Sequence, residues 1–334
     1  ESVAILPEGM SRERFEWLQQ VAGEVIATPG TESNVKEIFD KCWELRRSGQ
    51  DLVIFNQFDE FGNVLWHHAV TGNAFAEMLE KELRPGETLR GSVFTTGSAG
   101  TINAGDRLKE LFPESKIAAS EALQCPTLLQ NGFGAHRIEG IGDKHVPWVH
   151  NVRNTDMVIA VDDEVPMQMI RLFMEPEGRK YLVKQGVPEA LVNQLDLVGI
   201  SGAANIASAI KMAKWYEWGE GDVVVTLLTD SMELYGSRLQ ELTAEHGEFT
   251  ACDAAAVYHQ HILGLSTDYV EELTYPARKR VHNLKYYTWV EQQGKTYEEI
   301  LDQWYKKDYW TGVHGQVDEI DALIEEFNAR VGLA

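Results

Sequence analysis

Short apolar runs alternate with longer helical patterns through the first 230 residues of this 334-residue chain. The runs show little alternation between apolar and polar residues, which is typical of parallel strands that are covered on both faces. This arrangement predicts an α/β fold with doubly wound, mostly parallel sheets. The predicted strands cover residues 3–6, 24–27, 52–55, 92–95, 116–119, 157–161 and 223–228.

The helical patterns lie between these strands and then continue without them toward the C-terminus. A capping box at Thr296 and Glu299 predicts the start of one late helix, and an apolar stripe predicts an amphipathic helix over 317–331. Aromatic side chains crowd this tail, and we expect them to pack against the body of the protein or a partner subunit. The earlier helical patterns cover residues 11–22, 32–48, 71–83, 101–112, 164–175, 186–196 and 202–216.

The charge balance argues against several classes of partner. The chain has 30 basic and 52 acidic residues, a formal net charge of −22. Binding to nucleic acid or to an anionic membrane surface requires basic side chains, so we expect neither. No apolar run reaches the ~18 residues of a membrane span, and the first residues do not resemble a signal peptide. Three cysteines far apart in the chain are consistent with the reducing cytoplasm, where we expect the protein.

A glycine-rich turn follows the predicted strand 92–95 and precedes a helical pattern. Backbone N–H groups in such a turn, at the positive end of a helix dipole, form a ready site for a phosphate group. The glycine spacing fits neither the dinucleotide fingerprint nor the P-loop, so the turn alone is compatible with a phosphate or with no ligand. Its small residues are Gly97, Ser98, Ala99, Gly100 and Thr101.

Two polar residues, Asp230 and Ser231, follow a second apolar strand pattern. Ligands of open α/β sheets lie beyond the carboxyl ends of the strands, so a side chain here is placed to contact a cofactor ring. Either residue could instead serve as the N-cap of a following helix. Because side chains alternate along a strand, we expect only one of the two to face a bound ring.

Six sequence blocks over roughly residues 4–240 resemble, in order, the fold-type II pyridoxal-phosphate enzymes of the cysteine synthase and cystathionine β-synthase family. The family patterns are M-S-x-E-R…T-x-G, Q-F-x-N…T-T-G-P, G-T-G-G-T, H-K-I-Q-G-I-G, G-I-S-S-G-A-A and P-x-S-G-E-R-Y. The matching blocks are MSRER at 10–14 with TPG at 28–30, QFD at 57–59 with TG at 71–72, GSAGT at 97–101, HRIEGIG at 136–142, GISGAA at 199–204 and TDSMELY at 229–235.

The resemblance implies two domains of the tryptophan synthase β-like fold, pyridoxal 5′-phosphate as cofactor, a homodimer, and β-replacement or β-elimination on a small amino acid. It places the cofactor phosphate in the turn 97–101, Ser231 at the pyridine nitrogen and Gln57 near the substrate carboxylate. A neutral hydroxyl leaves that nitrogen largely unprotonated, which suits elimination of a β-substituent; if Asp230 faced the ring, this inference would reverse. The substrate side of the ring would be lined by Gly140, Ile141 and Gly142.

The chain also departs from the family pattern. Ser98 and Ala99 replace threonine and glycine in the phosphate turn, and Met232 replaces a glycine after the serine. The family's Schiff-base lysine lies in an S-x-K-D-R motif that precedes the matching region, and this motif does not occur here. We interpret Lys144 as a solvated loop charge, so no catalytic residue is assigned within the chain.

Three explanations for the lysine stay open. The chain is a fragment, or a separate polypeptide supplies the preceding segment, or the protein is a non-catalytic relative that acts as an interaction subunit. Under the first two, residues 1–57 form the remainder of a small N-terminal domain and residues 58–275 the large cofactor-binding domain. Residues 276–334 then form a helical C-terminal extension.

No metal site is expected from the histidine spacing. His259 and His261 lie two residues apart, so their side chains diverge on a helix and cannot share an ion. His67 and His68 are interpreted as surface or helix-start residues.

Overall fold

The computed structural model describes residues 2–333. Glu1 and Ala334 lie outside it; they are the first residue of the predicted N-terminal domain and the last residue of the predicted C-terminal extension. Strands of the described chain form two sheets. The smaller sheet pairs β1 (Val3–Pro7) in parallel with β2 (Glu24–Thr28). The larger sheet consists of β3 (Thr88–Thr95), β4 (Lys116–Ala122), β5 (Met157–Val161), β6 (Asp222–Thr226) and β7 (Val270–Glu272).

The larger sheet runs in the order β6-β3-β4-β5-β7. Strands β3 to β6 are parallel, while β7 pairs antiparallel with β5 at one edge. Mostly parallel sheets with helices between the strands confirm the predicted doubly wound α/β class. The chain builds outward from β3 to β5 and then returns to place β6 on the other side of β3. At such a reversal the carboxyl ends of neighbouring strands open a crevice in which ligands bind.

Two strand predictions are wrong. Residues 52–55 form no strand, and Val53 is 77% exposed and Phe55 85% exposed. An apolar run becomes a strand only where a neighbour accepts its backbone hydrogen bonds, and none does so here among residues 2–333. Conversely, β7 lies beyond residue 230, where the sequence predicts helices alone, because three residues with two glutamates make no apolar run.

Helices cover both faces of the larger sheet. The predicted helix 186–196 is wrong in part, because Pro188 interrupts it and leaves only a short helix and a 3₁₀ turn. No helix within residues 2–333 is both long and apolar enough to cross a membrane. The helices are α1 (Arg12–Val21), α2 (Val35–Arg47), α3 (Phe61–Trp66), α4 (Gly72–Glu82), α5 (Ile102–Leu111), α6 (Thr127–Gln130), α7 (Glu164–Met174), α8 (Pro176–Lys184), α9 (Glu189–Val192), α10 (Ile200–Trp215), α11 (Gly236–His246), α12 (Ala251–Val257), α13 (Tyr275–Asn283), α14 (Tyr297–Tyr305), α15 (Tyr309–His314) and α16 (Val317–Val331).

An apolar cluster lies on each face of the larger sheet because side chains alternate along β3. Val93 belongs to the cluster that contains Ala204 of α10. Phe94 points to the opposite face and belongs to the cluster that contains Ile102 and Leu108 of α5. All five side chains are completely buried. The end of β3 and the start of α5 are therefore both anchored in the core, which holds the turn between them in place.

The helical tail packs partly on the body of the protein. Trp289 is fully buried, and its Nε1 donates a hydrogen bond to the carbonyl of Val146 at 2.8 Å. Lys285 is also fully buried, and its Nζ donates three hydrogen bonds, to the carbonyls of Trp148 and His150 and to Oε1 of Gln303. Packing against the body is thus confirmed for Trp289.

The apolar stripe of the last helix, α16, lies at the surface. Leu323 is 58% exposed and Phe327 60% exposed, and the helix contributes no buried residue. The predicted helix is confirmed, whereas a partner subunit against this stripe stays a prediction.

Candidate functional site

A cavity of about 540 Å³ opens beyond the carboxyl ends of β3 and β6. The turn before α5, the loop after residue 139 and the segment after β6 form its walls, so three regions far apart in sequence converge there. Two of the predicted site residues, Gln57 and Gly142, lie outside its lining. The predicted residues that line it are Gly97, Ser98, Ala99, Gly100, Thr101, Gly140, Ile141 and Ser231.

The turn 97–101 packs so closely against its neighbours that two of its positions leave no room for a side chain. A Cβ on Gly97 would lie 2.6 Å from the carbonyl oxygen of Gly140, and one on Gly100 would lie 2.2 Å from Oδ1 of Asn63. Ala99 occupies the left-handed region with φ of 62°, a conformation that costs a residue with a Cβ about 1–2 kcal/mol. This explains why a glycine suits position 99 in related sequences and why alanine, the smallest alternative, stands here.

Backbone donors in this turn are free. Within the described part of the chain, the N–H groups of residues 97–101 donate no hydrogen bond to another protein group. They precede α5, a ten-residue helix, whose dipole adds positive potential at its N-terminus. Ser98 Oγ accepts a hydrogen bond from Nδ2 of Asn63 at 3.0 Å, so this hydroxyl keeps its proton for another acceptor. The turn therefore fits a phosphate group.

Asp230 and Ser231 both line the cavity but differ in their partners. Oδ2 of Asp230 accepts hydrogen bonds from the hydroxyl of Tyr235 and, at 3.4 Å, from Nη2 of Arg14. Burial raises the pKa of this carboxyl above its ordinary value. The Ser231 side chain makes no hydrogen bond within residues 2–333. Oδ1 of Asp230 is buried without a hydrogen-bond partner in the described chain, so protein groups hold one oxygen of this carboxyl, whereas the other oxygen and the Ser231 hydroxyl have no such partner.

The loop of residues 140–142 is fixed to the turn across the cavity. The N–H of Gly142 donates to the carbonyl of Thr96 at 2.9 Å. The N–H of Gly140 donates to Oε2 of Glu32 at 3.1 Å. Gly140 and Gly142 have φ of 87° and 83°, values that favour glycine. Glycine at both positions therefore keeps the loop close to the phosphate turn.

Two acidic groups that the sequence did not single out lie beside this loop. Oε1 of Glu32 and Oδ2 of Asp143 are buried without a hydrogen-bond partner in the described chain. Burial raises the pKa of Glu32 to about 7, and burial together with the nearby Glu32 raises the pKa of Asp143 well above its ordinary value. Burial therefore favours the protonated, uncharged form of each carboxyl. Only folding makes them neighbours, and the position of Asp143 directly after a glycine was the sole local signal.

A second, larger cavity of about 1210 Å³ adjoins the first and shares Gly97, Ser98, Gly140 and Ile141 with it. Strand β1 and the unpaired residues 52–55 form much of its wall, and Gln57 opens onto it. The predicted contact of Gln57 with a substrate therefore concerns the larger cavity.

The lysines of residues 2–333 lie away from the smaller cavity, whose lining contains none. Lys41 lines the larger cavity and pairs with Glu44 at 2.7 Å. Lys144 is exposed, with its Nζ 5.5 Å from the centre of the Phe133 ring, which agrees with its interpretation as a loop charge.

A buried ionic network joins the start of α1 to Glu139 and to Arg238 of α11. Glu139 is 1% exposed; its Oε1 accepts from Nε of Arg238 at 2.7 Å and its Oε2 from the N–H of Ser11 at 3.1 Å. Nε of Arg14 lies 3.7 Å from the same carboxylate. The family block around residues 136–142 therefore contributes to the attachment of α1 as well as to the cavity.

Sequence comparison identifies relatives that match 70% of the chain. No family model matches the chain. The cysteine synthase of Staphylococcus aureus (strain Mu50 / ATCC 700699) is 30% identical over 235 residues, which are 70% of this chain and 67% of that protein. The chain belongs to the cysteine synthase family of fold-type II pyridoxal-phosphate enzymes. A probable cysteine synthase of Bacillus subtilis (strain 168) is 29% identical over 235 residues, 70% of this chain and 68% of the relative.

Solved structures agree with this assignment. The O-acetylserine dependent cystathionine beta-synthase from Helicobacter pylori is 26% identical with a TM-score of 0.55, over 70% of this chain and 68% of that structure. A hydrogen sulfide-producing enzyme (Fn1055) from Fusobacterium nucleatum, 24% identical over 76% of this chain and 69% of that one, shares the fold with a TM-score of 0.58. Members of the cysteine synthase family depend on pyridoxal 5′-phosphate, which agrees with a phosphate site in the turn 97–101.

Proposed function

We propose that this chain forms the cofactor- and substrate-binding part of an enzyme that catalyses β-replacement or β-elimination on a small amino acid. The observation that carries the proposal is the set of free N–H groups at residues 97–101, which face a cavity at the reversal of the sheet. An anion-binding turn at this place matches the need of a cofactor that is held by its phosphate.

In this proposal, the turn 97–101 holds the cofactor phosphate, and the Ser231 hydroxyl, free of protein partners, hydrogen-bonds the pyridine nitrogen. When bound, pyridoxal phosphate serves as an electron sink for an amino acid. In the same proposal, Asp230 keeps Oδ2 paired with Arg14 and Tyr235 and does not protonate the ring nitrogen. The resulting weaker electron sink favours departure of a β-substituent over a long-lived carbanion.

The substrate then lies toward Gly140, Ile141 and Gly142. Gln57, in the wall of the adjoining larger cavity, is proposed to contact the substrate carboxylate. Oδ2 of Asp143 is unpaired in the described chain, and the raised pKa of this carboxyl suits it to hold a proton beside the reacting side chain.

We further propose that the lysine comes from a polypeptide segment outside residues 1–334, joined to the chain or carried by a second one. The absence of a lysine from the lining of the smaller cavity, among the residues described, supports this. The larger cavity supports it too, because it adjoins the cofactor site and exposes the apolar residues Val53 and Phe55. An extended segment there could pair with a free edge of the two-stranded sheet.

Pyridoxamine 5′-phosphate tests the cofactor site directly, because it carries the same phosphate and ring and needs no lysine. Equilibrium dialysis of the full chain should show one molecule bound per chain. Gly97→Val should abolish this binding and Ser231→Ala should weaken it about 5–10-fold, the equivalent of one hydrogen bond. Gly62→Ala is the matched control, because nothing lies within 4 Å of a Cβ at that position. Absence of binding to the unmodified chain would refute the proposed site.

The lysine proposal needs a separate experiment. Co-expression with a segment that contains S-x-K-D-R should yield a yellow protein whose absorbance changes when a serine- or cysteine-like substrate is added. No change with any such substrate would contradict the enzymatic role while leaving cofactor binding intact.

A non-catalytic interaction subunit that binds a partner through its C-terminal tail is the second candidate, and the exposure of Leu323 and Phe327 on α16 favours it. This role predicts that a complex with a partner survives in a Gly97→Val, Ser231→Ala variant that no longer binds the cofactor. Loss of the complex together with cofactor binding would favour the enzyme.

Sedimentation of the chain tests the homodimer, which stays a prediction.

A further inference from the structure

Three side chains from separate parts of the chain meet near the surface, and none of them lines the smaller cavity. His68 belongs to a π-helical turn (His67–Thr71), Glu110 to α5 and His314 to the end of α15. Their nearest nitrogen and oxygen atoms all lie within 4.8 Å of one another. His68 Nε2 is 3.1 Å and His314 Nδ1 is 4.0 Å from the same carboxylate oxygen, Oε1 of Glu110.

The positions of these groups are set by packing. Val313, the neighbour of His314, lies in an apolar cluster with Val64, Leu65 and Val149, so α15 is anchored on the helix that leads into His68. The other carboxylate oxygen of Glu110, Oε2, accepts a hydrogen bond from Nη1 of Arg107 at 2.9 Å. This contact orients the carboxylate and leaves Oε1 turned toward the two imidazoles.

The histidine rings are stacked, with centroids 3.8 Å apart and planes inclined by 14°. The His314 side chain is only 9% exposed, and its Nε2 is buried without a hydrogen-bond partner in the described chain. Nδ1, the His314 nitrogen that lies 4.0 Å from Oε1 of Glu110, is the one placed to bind an ion together with that oxygen.

Two imidazole nitrogens and a carboxylate oxygen are a donor set that suits zinc and its neighbours in the first transition row. Bonds of ~2.0–2.1 Å in a tetrahedron place ligand atoms about 3.3 Å apart. The distances of 3.1 and 4.0 Å in the structure bracket this value. Because the lone pair of an imidazole nitrogen lies in the ring plane, the two stacked rings must tilt away from parallel for both to bind one ion.

We infer that His68, Glu110 and His314 form a binding site for a late first-row divalent cation such as Zn²⁺, with water at the remaining position. The ion would join α15 of the C-terminal extension to α5 and to the turn after α3. The inference is independent of the cofactor, and it replaces the expectation from sequence that the chain has no metal site. Local spacing excludes a pair two residues apart but is silent about ligands that folding brings together.

Calorimetric titration of Zn²⁺ into the tag-free, chelator-treated full chain tests the site. One ion should bind per chain, and Glu110→Gln, His68→Ala and His314→Ala should each weaken binding at least tenfold. His246→Ala is the matched control, because His246 also lies near two carboxylates, those of Glu164 and Glu245 at 4.0 and 3.7 Å, yet should leave binding unchanged. Mg²⁺ should not compete, since it prefers oxygen ligands in an octahedron.

Hydrogen exchange supplies a second readout that does not depend on whether the His314 variant folds. Zn²⁺ should slow exchange in residues 309–316 of the unmodified chain and should have no such effect in Glu110→Gln, whose side chain lies at the surface. Zinc binding that is as tight in the three cluster variants as in the unmodified chain would overturn the inference. So would zinc binding that is lost only in His246→Ala, or the absence of zinc binding altogether.

Discussion

Gly97→Ala is the sharpest probe of the candidate cofactor site. A Cβ at this position would lie 2.6 Å from the carbonyl oxygen of Gly140, whereas a carbon and an oxygen atom in contact lie about 3.3–3.6 Å apart. The loop must therefore retreat by roughly 0.7 Å. It is not free to do so, because the N–H of Gly142 is bonded to the carbonyl of Thr96 at 2.9 Å.

The cost has two parts. Overpacking of a close contact typically destabilises a protein by about 1–3 kcal/mol, and a strained or broken backbone hydrogen bond adds about 1 kcal/mol. We expect the free energy of unfolding to fall by roughly 2–4 kcal/mol. Movement of the loop also reshapes the wall of the cavity, so affinity for pyridoxamine 5′-phosphate should fall at least tenfold.

Urea unfolding followed by tryptophan fluorescence measures the first effect, and equilibrium dialysis measures the second. Gly62→Ala adds the same methyl group within α3, where nothing lies within 4 Å of the new Cβ, and should be neutral or slightly stabilising. If Gly97→Ala were as stable as this control and bound the ligand as tightly as the unmodified chain, the close approach of the turn and the 140–142 loop would be refuted as a structural requirement.

Three further predictions concern buried charges. Burial raises the pKa of Glu121 to about 8, so the folded state retains a proton that the unfolded chain releases above about 4.3. The free energy of unfolding should therefore fall as the pH rises between those values. Glu121→Gln should lessen this fall in urea titrations at pH 5 and 8. Glu139→Gln should lower the free energy of unfolding in urea by about 2–3 kcal/mol because it leaves partly buried arginines without a carboxylate. The control is Glu77, whose side chain is 67% exposed in a surface ion pair; Glu77→Gln should cost no more than about 0.5 kcal/mol. Lys285→Met should cost roughly 2–4 kcal/mol because three buried acceptors lose their donor, and Lys180→Met, 70% exposed, is its control. Equal losses in a buried variant and its exposed control would contradict the corresponding assignment, as would an unchanged pH dependence in Glu121→Gln.

Local patterns were sufficient for the larger features of this fold. Apolar runs predict strands because buried parallel strands have no polar face, and the runs at β3, β4 and β5 correspond to strands in the larger sheet. The turn 97–101 was equally visible, since small residues between a strand and a helix leave backbone donors free. The family resemblance extended these patterns to Ser231, Gly140 and Ile141, which line the same cavity.

Local patterns failed where a neighbour decides the outcome. Residues 52–55 have the composition of a strand but no strand beside them in the described chain, while β7 has little strand character and forms because β5 offers an edge. The helix predicted over 186–196 begins only after Pro188, which stands at its N-cap.

Helices, strands and the phosphate turn follow from backbone preferences and short-range periodicity, which any stretch of the chain carries with it. No such local signal marks the unpaired carboxyl oxygens of Glu32 and Asp143, the ion pair of Asp230 with Arg14, or the meeting of His68 with His314. Each depends on burial and on distances between residues far apart in the chain. These quantities come into being only when the sheets and helices pack, and they decide which polar groups are left free to bind a ligand.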